Sequence, residues 1–172
     1  DAGVSLEADL VVGTSAGALL GARLAGGEPI ADVVQALRDA PAALPGGPIS
    51  PAVVIRLLAA QGSLDRRQAV VRLGRRAARE WTPDAAQRWV AAVAGHLAGR
   101  DWPAALVVVV TDAATGRPLL LRARRPADLA AAVAASCAMP GVFPAVPVGD
   151  RLCFDGGLRS PANLDVAGAA ES

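Results

Sequence analysis

Two short stretches hold the residues best suited to chemistry. One is Gly13-Thr14-Ser15-Ala16-Gly17, a serine between two glycines. The other is Asp155-Gly156-Gly157, an aspartate with two glycines behind it. A serine hydroxyl attacks an ester carbonyl once a base takes its proton, and an acyl-enzyme results. The usual base is a histidine held by a carboxylate. This sequence has one histidine, His96, among Ala and Leu near the end of a predicted helix. The α/β-hydrolase order is serine, acid, then histidine, and no histidine follows the late acids. His96 therefore reads as a helix-end residue, and an acid is the remaining candidate. Asp155 stands where a predicted strand ends and the backbone turns away, the usual place of an α/β active site. An Asp-Gly pair is equally an ordinary turn, and the residues alone leave both readings open. An exposed aspartate titrates near ~3.9 and is a poor base. Desolvation raises that value, and the apolar run "AMPGVFPAVPV" could supply it.

Such a serine needs a sharp turn between a strand and a helix. The apex residue is strained, its neighbours must be small, and the helix N-terminus favours developing negative charge. The expected strand is Ala8 to Val12, and the expected helix runs from Ala16 to about Ala25, closed by Gly26-Gly27. Gly13 and Gly17 would let the two approach, and the Ala16 N–H would face an oxyanion. Pro29 opens a helix through about Asp39, and Pro41 to Pro51 is a loop. Helical patterns follow at Pro51 to Ala60, Asp65 to Glu80 and Pro83 to Leu97, closed by Gly99-Arg100. Ala105 to Asp112 is β-branched and apolar on both faces, as in a central strand covered on both sides. Arg117 to Ala123 predicts a neighbouring strand, Pro126 to Ala138 a helix, and Gly149-Asp150 the turn of a short hairpin. This order predicts an α/β sandwich with a mainly parallel sheet.

Composition bounds the function. With 172 residues, 53% hydrophobic and 19% charged, the chain can build one domain with a core. The net charge of +1 gives no global pull toward nucleic acid. All 17 basic residues are arginine. No apolar run approaches the roughly 20 residues of a membrane helix, and no signal peptide is visible. The chain begins with Asp1 rather than Met, so its location is open, with the cytoplasm or a membrane surface expected. Cys137 and Cys153 read as buried thiols, and no metal is expected. Arg72, Arg75, Arg76 and Arg79 share one helical face, which could meet anionic lipid or simply be solvated. Trp81, Trp89 and Trp102 flank the same block and read as core or as lipid contacts.

The two motifs together resemble the patatin-like phospholipases. "LVVGTSAGALLGARLA" is similar to that family's elbow and first helix, and "VVVTDAATGRPLLL" to its central strand and turn. "AAVAASCAMPGVFPAVPVGDRLCFDGGLRSPAN" is similar to the segment leading into the acid. The resemblance implies a three-layer α/β/α sandwich and a Ser15–Asp155 dyad without histidine. It implies no cofactor, and a lipid acyl ester, of a phospholipid or related lipid, as substrate. Ser15 would be the nucleophile and Asp155 the base, with Gly13, Ala16 and Gly17 at the elbow and Gly156 and Gly157 behind the acid. The family also carries a glycine-rich oxyanion loop upstream of the elbow, whereas this sequence starts twelve residues before Gly13. The chain is therefore expected to be a single, partial domain, cut at both ends. The alternative expectation is a non-catalytic relic that binds lipid or another protein. A thiol- or histidine-dependent acyltransferase is disfavoured, since no histidine is placed to serve.

Overall fold

The structure is a computed structural model that describes residues 8–39, 49–80, 82–123, 128–160, 162–166 and 168. Strand β1 (Val11–Thr14) leads into helix α1 (Ala16–Ala25). Helices α2 (Ile30–Asp39), α3 (Pro51–Gln61), α4 (Arg66–Glu80) and α5 (Pro83–Leu97) follow. Then come β2 (Leu106–Asp112), β3 (Pro118–Leu121), α6 (Leu129–Ser136) and the hairpin β4 (Val146–Val148) and β5 (Arg151–Asp155). Local chemistry explains three of the helix starts. Ser50 and Thr82 cap α3 and α5 by accepting from Ala52 N–H and Ala85 N–H, and each is followed by a proline at the first helical position. Asp128 caps α6 through Ala130 N–H, so this helix begins later than Pro126. Residues 40–48, most of the expected Pro41 to Pro51 loop, lie outside the described residues, as does Trp81.

The first strand differs from expectation in one informative way. It spans Val11 to Thr14 rather than Ala8 to Val12, because its parallel pairing with β2 runs from Val11↔Leu106 through Thr14↔Val109. Ser15 is thus the first residue beyond the strand. The α/β class holds, and the sheet is mixed. It is parallel at β1–β2, while the other described pairings, β2–β3, β2–β5 and β4–β5, are antiparallel. Short turns dictate this for β3 and for the β4–β5 hairpin, since neighbouring strands joined that closely must run in opposite senses. Gly149, at φ +61, leads the two-residue hairpin turn.

Strand β2 has three partners and only two edges. Partner β1 covers residues 106–109, β5 covers 110–112, and β3 spans 108–111. The first two do not overlap, so they share one edge end to end, and β3 takes the other. The C-terminal ends of β1 and β5 therefore meet head-on, opposite Val109 and Val110.

Helices cover both faces of this sheet. On one side α1 lies against Val11 and Leu106, so closely that a Cβ on Gly21 would come within 3.0 and 3.1 Å of their side chains. Helix α1 also meets α5 and α6. On the other side α4 presses Gly74 onto the Phe154 ring. Every residue of β2 is buried between the two layers. Trp89 stacks on Phe143 with ring centroids 4.1 Å apart and donates to Ala134 C=O. Trp102 donates to Leu106 C=O. Both indoles pack against the core. Among the described residues, no helix is long and apolar enough to cross a membrane.

Candidate active site

Ser15 adopts φ 53 and ψ −129. A non-glycine residue held there stores about 1–3 kcal/mol of strain, which its surroundings must hold in place. Part of that hold is steric. A Cβ on Gly13 would lie 2.6 Å from Ala18 Cα and 2.8 Å from Gly17 C=O, so only glycine lets the strand and helix fold back so tightly. Gly17 differs from expectation. A Cβ there would meet nothing within 4 Å, so its smallness serves no packing contact among the described residues.

The second part of the hold is a hydrogen-bond relay. Where β1 leaves the sheet, Ser15 N–H donates to Ser136 Oγ at 2.9 Å, and Ser136 Oγ donates to Val109 C=O at 2.7 Å. The hydroxyl of a fully buried side chain thereby stands in for the next rung of the β1–β2 ladder.

The head-on meeting of β1 and β5 delivers the acid. Ser15 Oγ donates to Asp155 Oδ2 at 2.8 Å, and Gly157 N–H donates to Oδ1 at 2.7 Å. Asp155 is 3% exposed. Burial pushes its carboxyl above the ordinary aspartate value, and the Gly157 N–H and Ser15 hydroxyl oppose that by stabilising the charged form. Gly156 must be small, since a Cβ would fall 2.6 Å from Val109 C=O and 3.3 Å from Thr14 Cγ2. Gly157 is less confined, with Asp155 Oδ1 at 3.1 Å from such an atom.

Two positions that sequence reasoning passed over complete the frame. Ser136 is one. Asn163, fully buried at φ 48, is the other. Its amide nitrogen reaches Thr14 Oγ1 at 3.2 Å, Gly156 C=O at 3.1 Å and Ser160 C=O at 2.8 Å. It thus ties the end of β1 to the turn behind the acid. A buried polar side chain amid small residues was the only signal, and burial is not visible in a sequence.

His96 lies exposed in the last turn of α5 and is hydrogen-bonded to neither Ser15 nor Asp155. Cys153 is buried and Cys137 half-buried. Burial pushes the Cys137 thiol up to about 12, with the Asp155 charge adding to it, and burial does the same to Cys153. Both stay protonated near neutrality and neither is an activated thiolate. Among the described residues no group of three His, Cys, Asp or Glu side chains could hold a metal. A cavity of about 580 Å³ between α5 and the β4–β5 hairpin, lined by Ala86, Val90, Val146 and Leu152, touches neither Ser15 nor Asp155.

Chemically, the arrangement offers a hydroxyl whose proton already points at a desolvated carboxylate. It also offers the first turn of α1, where backbone N–H groups lack intrahelical partners. A negative oxygen beside Ser15 would meet the Ala16 N–H and the positive end of the helix dipole.

The structure thus places a hydrogen-bonded serine–aspartate pair at a strand-to-helix elbow of an α/β fold. Comparison of the sequence with known families gives the class of protein. The profile described as patatin-like phospholipase matches residues 1–167, so the chain belongs to that family, whose activity is lipid acyl hydrolysis. No curated protein matches the sequence.

Proposed function

We propose that this chain is a serine hydrolase of lipid acyl esters, acting on phospholipids or related lipids through a Ser15–Asp155 dyad. The observation that carries the reading is the 2.8 Å hydrogen bond from Ser15 Oγ to a buried carboxylate. The raised proton affinity of Asp155 supports its role as base. In the first step Ser15 Oγ attacks the acyl carbonyl carbon while Asp155 Oδ2 takes the hydroxyl proton. The carbonyl oxygen becomes an oxyanion, held by the Ala16 N–H. Collapse expels the alcohol portion of the lipid, which leaves with the proton from Asp155. Water then gives a proton to Asp155 and attacks the acyl-enzyme. Release of the fatty acid returns that proton to Ser15.

Fluorophosphonate labelling followed by mapping of the modified residue tests this. Ser15 should be labelled, and Ser15→Ala should abolish labelling and ester hydrolysis in a folded protein. Asp155→Asn should lower turnover by about 10² to 10⁴, and His96→Ala should change little. A folded protein that neither labels nor hydrolyses esters would favour a lipid-binding or interaction role on the same fold.

A further inference from the structure

Helix α3 is built of residues that a solvated helix avoids. Its sequence, PAVVIRLLAAQ, has a single charge, Arg56. A helix apolar on all sides normally lies in a core or a membrane. This one buries only Val53 and Ala60, with Leu57 partly covered. On its other side Val54, Ile55 and Leu58 are 43%, 66% and 63% exposed, and they fall within about 100° of one another around the helix axis. Leu64, just past its end, is fully exposed. Clustered apolar exposure of this kind marks a contact surface.

Charge indicates the partner. Residues 51–80 hold seven arginines and two acids, Asp65 and Glu80, in a chain whose net charge is only +1. Arg72, Arg75, Arg76 and Arg79 recur at helical spacing along α4, and all four are exposed. Helices α3 and α4 pack on each other, and the groove between them, about 280 Å³, is lined by Arg56, Arg72 and Arg76 with Ser63. An exposed apolar helix face on a helix pair rich in arginine is complementary to a bilayer with negative head groups. Helix α3 is seated through its buried side, where Val53 Cγ2 lies 3.0 Å from the Cβ position of Gly141, so its apolar outer face is left uncovered.

We infer that the α3–α4 pair is the surface by which this protein docks on an anionic phospholipid bilayer, with Val54, Ile55, Leu58 and Leu64 entering the interface and the α4 arginines on the head groups. The inference rests on the lipid-hydrolase reading of the dyad, for which it names the surface that supplies substrate. The test is sedimentation with vesicles of phosphatidylcholine alone and of phosphatidylcholine and phosphatidylglycerol in equal parts. The protein should bind the second and not the first, and added salt should release it. Arg72→Gln, Arg75→Gln and Arg79→Gln should each weaken binding about fivefold. Ile55→Asp with Leu58→Asp should abolish it. These side chains are exposed, so melting temperature and hydrolysis of a water-soluble short-chain ester should stay at the parent level, while hydrolysis of vesicle lipid falls.

Absence of vesicle binding, equal binding to both vesicle types, or binding indifferent to these substitutions would overturn the inference. So would self-association in solution that Ile55→Asp removes, which would assign the face to a second copy of the chain. Vesicle binding that follows the substitutions in a protein without ester hydrolysis would sink the dyad reading and leave the docking surface standing.

Discussion

Replacing Ser136 by alanine probes how the strained backbone at Ser15 is held. The hydroxyl accepts from Ser15 N–H at 2.9 Å and donates to Val109 C=O at 2.7 Å, and both Ser136 and Val109 are fully buried. Alanine leaves a donor and an acceptor unpaired, each at a cost of about 1–3 kcal/mol. Ser15 can escape part of that cost by rotating out of φ 53, which also recovers about 1–3 kcal/mol of strain. Both terms favour rotation, so we expect the backbone to relax. Net stability should then fall by about 1–3 kcal/mol, which lowers Tm by roughly 2–12 °C for a chain of this size. Relaxation carries Oγ off its 2.8 Å line to Asp155, and a misplacement near 1 Å costs about 10² in rate. The assay is turnover of a soluble ester and the rate of fluorophosphonate labelling, both normalised to folded protein, beside a thermal melt. kcat and labelling should fall together with KM little changed. Ser136→Cys, whose thiol is a weak donor and acceptor, should fall between parent and alanine. A lowered Tm with parental turnover and labelling would refute the reasoning, because the Ser15 conformation would then be set by the Gly13–Ala18 contact alone.

Acidification should silence the enzyme at a higher pH than an ordinary aspartate would give, since burial raises the Asp155 carboxyl above 3.8 and the base works only when ionised; a pH–kcat profile reads this directly. The same shift has an opposite sign for stability. The folded state holds this proton more tightly than the unfolded one, so the contribution of Asp155 to stability declines as pH rises from 3.8 through the raised value. Asp155→Asn should flatten that decline in a melt series. Gly13→Ala should cost at least 1–3 kcal/mol, roughly the price of overpacking, and most activity, because its Cβ would lie 2.6 Å from Ala18 Cα. Gly17→Ala, with open space at that position, should leave the fold intact, and equal melting losses for the two glycine variants would contradict the elbow geometry described above.

How far these features were readable depended on the kind of signal. The apolar run from Leu106 to Val110, β-branched from Val107 onward, reads as a central strand because burial on both faces needs apolar residues at every position. Ser15 and Asp155 were legible as candidates because each sits in glycine-rich backbone at the end of an apolar run. Their meeting was not legible from the residues. It follows from β1 and β5 sharing one edge of β2, and register between distant strands leaves no local trace. The same gap explains the sheet's sense, since strand order α/β patterns suggest parallel pairing until a hairpin intervenes. Ser136 reads as one more small residue in "AAVAASCA", and Asn163 as a loop polar residue. Only burial and partners separate them from filler. Gly17 shows the reverse error, a motif position whose packing role the structure does not reproduce.

The end-to-end seating of β1 and β5 also sets an order of events during synthesis. Ser15 leaves the ribosome before the residue on which its proposed chemistry depends, which is added 140 positions later. Until β5 seats against Val110, Thr111 and Asp112, a growing chain carries a serine with no base beside it. Such a chain could touch cellular lipids without cleaving them. Seating of β5 would then act as the arming step, confining hydrolysis to chains in which β1 and β5 have met.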